Sequence, residues 1–222
     1  MLQASTLNFL RALKKNNNKV WFDAHRGSYD DARKDFENFL NEVLDRLARK
    51  DETINGLRPK DCIFRINRDI RFSKDKSPYK SNFGASIARG GKKSIFAGYY
   101  IHCEPGAAFA GGGLWMPMPA ETKKIRQEID YNWDEFSKII GSRKFKSAYG
   151  DLYEGEDVSL KKLPQGYPKD HPAAGYLKFR SWLALRNFSD KELKSRDLVN
   201  KTMDAFLSLK PLLNFLNQAL ED

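Results

Sequence analysis

The spacing of apolar residues changes once along the chain, and this change limits the folds open to it. Between residues 28 and 50 apolar residues recur every three or four positions, which predicts one long helix with Ser28 as its N-cap. From Asp61 they recur at nearly every second position as far as Phe72, which predicts a half-buried strand. We therefore expect helices and a sheet within one domain.

Two further alternating runs, residues 94–103 and 107–115, predict additional strands, and residues 181–188 predict a last one. Turn signals separate the earlier runs, at Gly90-Gly91 and at Pro105-Gly106. Because strands that follow each other through short turns pair in opposite directions, these runs predict an antiparallel sheet.

Helices are predicted on both sides of these strands. Leucine spacing predicts a helix over residues 5–15, and Pro119 stands where a first helical turn tolerates proline. Ser189 and Glu192 match a capping box that precedes a closing helical region, which we expect to bend or break near Pro211. The fold class predicted is α+β, with helices packed mainly on one face of the sheet and long helices near both termini.

Length and composition predict the number of domains and the cellular location. A chain of 222 residues can bury one core, so residues 1–222 are expected to form a single domain. Residues 1–15 lack the features of a signal peptide. The longest charge-free stretch, residues 105–120, contains four glycines and three prolines, so it cannot be a membrane helix. We expect a cytoplasmic protein without a membrane segment.

Positive charge is concentrated in one segment. The formal net charge is +10, and residues 60–93 contain ten Lys or Arg against three Asp, a local balance of +7. Such a concentration attracts phosphate, carboxylate or nucleic acid. This segment is therefore where an anion site is expected first.

Four polar residues alternate along the predicted strand: Arg65, Asn67, Asp69 and Arg71. A strand directs alternate side chains to one side, so two guanidinium groups would flank a carboxylate and an amide. Guanidinium groups bind carboxylate or phosphate with two hydrogen bonds. The alternative is a network of internal ion pairs, but the segment has few acidic partners, which favours an external anion.

The glycine run at residues 111–113 adds a backbone feature, because glycines at the end of a strand allow a bulge or the close approach of a ligand. A lysine-bearing loop with Pro78 and Tyr79 follows the predicted strand, and a plain solvated loop is its alternative interpretation. The predicted ligand-binding residues are Arg65, Arg68, Asp69, Arg71, Lys74, Lys76, Lys80, Gly112 and Gly113.

Two pairs of residues are candidates for acid/base catalysis. His102 and Glu104 are two apart on a predicted strand and share a face; they could be an acid/base couple, metal ligands, or a buried histidine satisfied by a carboxylate. Asp170 and His171 lie in a proline-rich loop that suits either precise placement or plain packing. No third ligand accompanies the first pair and the chain has no CxxC pair, so we predict no metal; the cofactor is left open.

Five segments of the sequence are distinctive when they are taken together: NNKVW (17–21), RINRDIRFSKDKSPYK (65–80), YIHCEP (100–105), GGGLW (111–115) and PQGYPKDHP (164–172). Through these segments, and over nearly its whole length, the chain resembles domain of unknown function 2461, a family found in bacteria and some fungi. The resemblance implies one full-length domain and brings no known activity or catalytic residue.

Three functions fit these residues. The leading hypothesis is an enzyme or binding protein for a small anionic ligand, which could be phosphorylated. The second is a nucleic-acid-binding module, with aromatic residues that stack on bases beside the basic cluster. The third is a scaffold whose basic face meets an acidic partner protein. The aromatic residues of the second hypothesis are Phe72, Tyr79, Tyr99 and Tyr100. The sequence leaves open whether the protein is an enzyme and how many copies assemble.

Overall fold

A computed structural model describes residues 1–221, and within them helices combine with a four-stranded antiparallel sheet. The helices are α1 (Ala4–Lys15), α2 (Lys19–Ala24), α3 (Arg26–Ala48), α4 (Pro59–Cys62), α5 (Pro119–Tyr131), α6 (Trp133–Gly141), α7 (Arg143–Tyr149), α8 (Ala174–Leu177), α9 (Asp190–Leu193) and α10 (Leu198–Gln218). The strands are β1 (Phe83–Ile87), β2 (Gly98–Cys103), β3 (Ala108–Leu114) and β4 (Trp182–Phe188), in the order β1-β2-β3-β4. The predicted α+β class is confirmed.

The strand predicted over residues 61–72 is wrong. Its first residues belong to α4, and the rest forms only isolated antiparallel pairs, Ile63 with Ala85 and Asn67 with Tyr79. Residues 68–78, between the paired Asn67 and Tyr79, form a loop, in which the Arg68 N–H donates to the carbonyl of Pro78 at 2.9 Å. Exposure still alternates along the extended segment because every second residue faces inward, but no strand within residues 1–221 continues the ladder.

One helix boundary and one predicted helix break also differ from the prediction. Helix α3 begins at Arg26, before Ser28, because it follows α2 directly and His25 ends one helix and precedes the other. Helix α10 continues through Pro211 without a break. Pro211 and Leu207 lie on its exposed side, so the carbonyl group that proline leaves without a partner can be hydrated.

The described residues divide into two compact units, and the prediction of a single domain stays a prediction. Strands β2, β3 and β4 each contribute residues to both units. The first unit contains residues 1–92, 100–110 and 187–203, and the second contains residues 93–99, 111–186 and those from 204 onwards.

Aromatic contacts organise the core of the first unit. Phe36 of α3 stacks on Phe83 of β1 with ring centroids 5.5 Å apart, and Phe22 of α2 stacks on Tyr79 at 4.0 Å. The side chain of Asn17 donates to the Tyr79 carbonyl at 2.8 Å and accepts from the Tyr79 N–H at 3.0 Å. The backbone immediately before Lys80 is therefore fixed at both of its polar groups.

In the second unit, the glycine run of β3 lies against neighbouring backbone. A Cβ atom added at Gly112 would meet the carbonyl oxygen of Gly98, and one added at Gly113 would meet that of Trp182. This close approach gives a structural reason for glycine at both positions. Their predicted role in ligand binding stays a prediction.

Candidate functional site

His102 and Glu104 form a hydrogen-bonded pair at the end of β2, in the first unit. The His102 Nε2 lies 3.1 Å from Glu104 Oε2, and the other carboxylate oxygen accepts from Lys14 Nζ and Ser81 Oγ, both at 3.0 Å. Both side chains of the pair are mostly buried, with 18% and 17% of their surface exposed. Because a carboxylate only accepts, Nε2 carries the proton of this bond. The carboxylate, held at both oxygens, orients the imidazole.

The other ring nitrogen of His102 has only long contacts with the residues that the structure describes. Its Nδ1 lies 3.4 Å from both the Tyr100 hydroxyl and the Asn82 amide nitrogen, at the far end of the hydrogen-bond range. The ring stacks on Phe109 with centroids 4.8 Å apart and an interplanar angle of 4°. In the neutral ring this nitrogen has the lone pair. Nδ1 can therefore act as a base, because Glu104 orients the ring and the two contacts of Nδ1 are weak.

Burial by itself would raise the pKa of Glu104, but hydrogen bonds from Lys14, His102 and Ser81 outweigh it and hold the pKa below its usual value. Burial also raises the pKa of Tyr100 to about 12, so its hydroxyl stays protonated at neutral pH. Gly84 of β1 leaves the space for this hydroxyl, because a Cβ atom there would collide with it. The site therefore combines a stable carboxylate, an oriented imidazole and a protonated phenol.

We expect Glu104→Gln to destabilise the protein at neutral pH and to do so progressively less below pH 4.5. The folded-state pKa of Glu104 lies below its usual value of 4.5, so the carboxylate contributes fully above that pH and its contribution is lost as the pH falls through the folded value. Urea denaturation from pH 7 to pH 3 measures this. Glu156→Gln, at an exposed position, is the control. A Glu104→Gln effect that is the same at every pH would contradict the prediction.

Asp170 and His171 lie in the second unit, where the ring of His171 is used at both nitrogens. Its Nδ1 accepts from the Ala173 N–H at 3.0 Å and its Nε2 lies 2.8 Å from Asp130 Oδ1. Asp170 is exposed. The structure thus pairs His171 with Asp130, a residue that the sequence analysis did not select, and this pairing anchors the proline-rich loop. The predicted catalytic role of Asp170 and His171 stays a prediction.

Two arginines of the basic segment have internal acidic partners. Arg71 binds Asp69 with two hydrogen bonds, of 3.0 and 2.7 Å, and these bonds lower the pKa of Asp69. Arg68 forms an ion pair with Asp75, whose pKa is lowered to about 2 by hydrogen bonds from Ser77 and from Arg68. At these positions the structure contains the ion pairs of the alternative interpretation.

The other cations of the segment differ in what they contact. Lys76 Nζ donates to the Ile70 carbonyl at 3.0 Å, and Lys74 is exposed. Neither Arg65 nor Lys80 forms an ion pair with an acidic side chain of residues 1–221. Lys80 is half-buried, and its Nζ lies 5.3 Å from the centroid of the Phe64 ring. Burial lowers the pKa of Lys80, and the positive charge of Arg65 lowers it further.

The aromatic set proposed for base stacking is largely buried. Tyr79 is 7% exposed and Tyr99 is 1% exposed, so neither offers a face to an external base. Phe72 is 95% exposed and Tyr100 is half-buried. The expectation of a stacking surface was wrong for Tyr79 and Tyr99, because both side chains are part of the apolar cores of their units.

Sequence reasoning missed Lys14, Ser81 and Asn82, which complete the surroundings of His102 and Glu104. Ser81 and Asn82 follow Lys80 directly, and this short polar run could have indicated that the predicted site extends beyond Lys80. Lys14 is one of two basic residues in the last turn of α1, and its sequence context does not distinguish it from Lys15.

Within residues 1–221 no group of three His, Cys, Asp or Glu side chains is arranged to hold a metal ion. None of the helices in that range combines the length and apolar composition needed to cross a bilayer. A family model described as "Conserved hypothetical protein (DUF2461)" matches residues 5–215. No curated protein and no solved structure matches the chain.

Proposed function

The chain belongs to the DUF2461 family of conserved hypothetical proteins, whose description gives no activity, and we propose from the site that it binds a small anionic ligand. In this proposal Arg65 and Lys80 are the anchoring cations, and His102 with Glu104 supplies an acid/base group beside the ligand. The ligand carries a phosphate or carboxylate group, and the protein is an enzyme or a binding protein for it.

The observation that carries the proposal is the environment of Lys80. A charged group withdrawn from water normally has a partner of opposite charge, because its lost hydration is otherwise uncompensated. Lys80 is half-buried, forms no ion pair among residues 1–221, and has the cation of Arg65 as its charged neighbour. A bound anion would compensate the charge of Lys80, and the exposed guanidinium group of Arg65 would contact the same anion. Arg68 and Arg71, by contrast, already have carboxylate partners.

Lys80 is connected to the His102–Glu104 pair by two short routes. Its neighbour Ser81 donates to Glu104 at 3.0 Å. The Phe64 ring on which Lys80 lies is 6.5 Å from the ring of Tyr100, and the Tyr100 hydroxyl lies 3.4 Å from His102 Nδ1. A ligand anchored at Lys80 and extending along Phe64 would therefore approach the free lone pair of the imidazole.

The chemistry that this placement supports is proton transfer. His102 would take a proton from the ligand at Nδ1, while Glu104 holds the opposite nitrogen and stabilises the imidazolium that forms. A positioned acid/base group accelerates a reaction by about 10²- to 10⁴-fold. His102 is needed only if the protein is an enzyme. Lys80 is needed in either case, because it binds the anion.

We expect phosphate, pyrophosphate or succinate to raise the melting temperature of the parent protein, and this response to be at least about tenfold weaker in apparent affinity in Lys80→Met. Thermal unfolding at constant ionic strength measures the response, since binding to the folded state stabilises it by mass action. Lys93→Met removes one exposed cation from the same segment, at a position outside the predicted ligand-binding residues, and is the matched control. No response to any of the three anions, or an equal response in Lys80→Met, would contradict the proposal.

One observation favours a second candidate, a site for single-stranded nucleic acid. Phe72 is 95% exposed, and the guanidinium carbon of Arg71 lies 5.7 Å from its ring centroid. An exposed ring among cations can stack on a base while the cations contact phosphates. Oligonucleotide binding that weakens steeply with salt and is lost in Phe72→Ala would support this candidate, because each phosphate contact releases counterions.

A further inference from the structure

We propose that Lys80 is a nucleophilic lysine whose amine forms an imine with an aldehyde or ketone group of the anionic ligand. This inference rests on the proposed anion site and names the class of ligand that the site would take. The ligand would carry a carbonyl carbon close to its phosphate or carboxylate group.

The backbone around Lys80 is held in place on both sides. Tyr79 is bound at its N–H and its carbonyl by Asn17, and the Lys80 N–H donates to the Ile66 carbonyl at 2.8 Å. On the other side, Ser81 is bound to Glu104. The Cα atom of Lys80 is therefore fixed, and the amine is placed by the four methylene groups of its side chain.

The surroundings of the amine favour its neutral form, which is the nucleophile. The ammonium group lies over the face of Phe64 and forms no ion pair with a carboxylate of residues 1–221, and Arg65 acts on it as a like charge. Desolvation and a neighbouring cation are the two means by which proteins activate lysine for attack on carbonyl carbon. Both lower the pKa of Lys80.

The reaction forms one carbon–nitrogen double bond and releases one water molecule. The lone pair of the neutral Nζ attacks the carbonyl carbon, the carbonyl electron pair moves to the oxygen, and a proton transfers from nitrogen to oxygen to give a carbinolamine. The hydroxyl group then takes up a proton from the solvent and leaves as water while the nitrogen lone pair forms a protonated imine. This ion returns its N–H proton to the solvent and gives the neutral imine. No oxidant or reductant takes part. Arg65 would bind the anionic group of the ligand and so direct its carbonyl carbon toward Lys80.

Borohydride trapping with pyridoxal phosphate tests the inference, because this probe carries both an aldehyde and a phosphate. With less than one equivalent of pyridoxal phosphate per protein, we expect Lys80 to be labelled at least about tenfold more than Lys74 or Lys76, as measured by peptide mass mapping. Inorganic phosphate should suppress the labelling, and pyridoxal, which lacks the phosphate, should label Lys80 several-fold less.

Lys80→Arg separates this inference from the proposed function. The variant keeps a cation for the anion but has no amine, so we expect it to retain stabilisation by phosphate and to lose the label. If phosphate stabilises the parent protein but the label spreads over exposed lysines or avoids Lys80, the imine inference is overturned and the anion site stands. If phosphate neither stabilises the protein nor suppresses labelling, the anion site fails and the inference fails with it.

Discussion

Replacing Gly112 by alanine is expected to lower the free energy of unfolding by more than about 4 kcal/mol, the range reached by the most disruptive single substitutions. Gly112 lies within β3 at φ 148°, where side chains are strained. Its added Cβ atom would collide with the carbonyl oxygen of Gly98 and lie 2.9 Å from the Cα atom of Tyr99. Both contacts are with backbone, so only separation of the neighbouring chain segments could relieve them.

Urea denaturation of purified protein measures this effect. The matched control is Gly141→Ala, at the last residue of α6, where the added Cβ atom would have open space: beyond the helix's own backbone and the adjoining residues, no heavy atom of residues 1–221 lies within 4 Å of it. There we expect no loss, or a gain of up to about 1 kcal/mol, because alanine is favoured over glycine in a helix. A Gly112→Ala variant within about 1 kcal/mol of the parent would show that this part of the sheet adapts easily.

Replacing Asn17 by alanine is expected to lower the free energy of unfolding by about 2 to 4 kcal/mol, since it leaves two polar groups of a largely buried residue without their partners. The groups are the N–H and carbonyl of Tyr79, which Asn17 binds at 3.0 and 2.8 Å. The same change frees the backbone that places Lys80. We therefore also expect a weaker thermal response to phosphate at temperatures where the variant is still folded.

Asn8→Ala is the control for Asn17, because Asn8 is exposed on α1 and bonds only to the exposed side chain of Arg11 among the hydrogen bonds described. Its effect should stay within about 0.5 kcal/mol. If Asn17→Ala matched the stability of Asn8→Ala, Tyr79 would have other means of satisfying its backbone. If it lost stability but kept the full phosphate response, the position of Lys80 would not depend on this contact.

Local sequence patterns correctly predicted the helices and strands whose apolar spacing or capping residues lie within the element itself. The apolar spacing over residues 36–47 belongs to α3, and the alternation in residues 94–103 and 107–115 belongs to β2 and β3. The capping box of Ser189 and Glu192 is formed as expected, although it begins the short α9. In each case the information lies within a few residues, because helical spacing and capping are local properties of the chain.

Pairing between distant segments could not be predicted in this way. The alternation after Asp61 is as regular as that of β2, but a strand needs a partner along its length, and in the described part of the chain this segment has only isolated pairs. Strand β1, by contrast, is short and contains Gly84, Ala85 and Ser86, so its apolar alternation is weak and it was not predicted.

The candidate site likewise has features that local sequence predicts and features that depend on contacts between distant segments. By itself, the sequence determined that the chain is an α+β protein of its family, with its positive charge concentrated in one segment and His102 and Glu104 on one face of a strand. Only the tertiary structure decided that Lys14 and Ser81 hold Glu104 and that Arg68 and Arg71 are paired. It also decided that Lys80 lies half-buried without a carboxylate partner among residues 1–221. The reason is physical: hydration and ion pairing depend on distances through space between side chains, and the fold sets these distances.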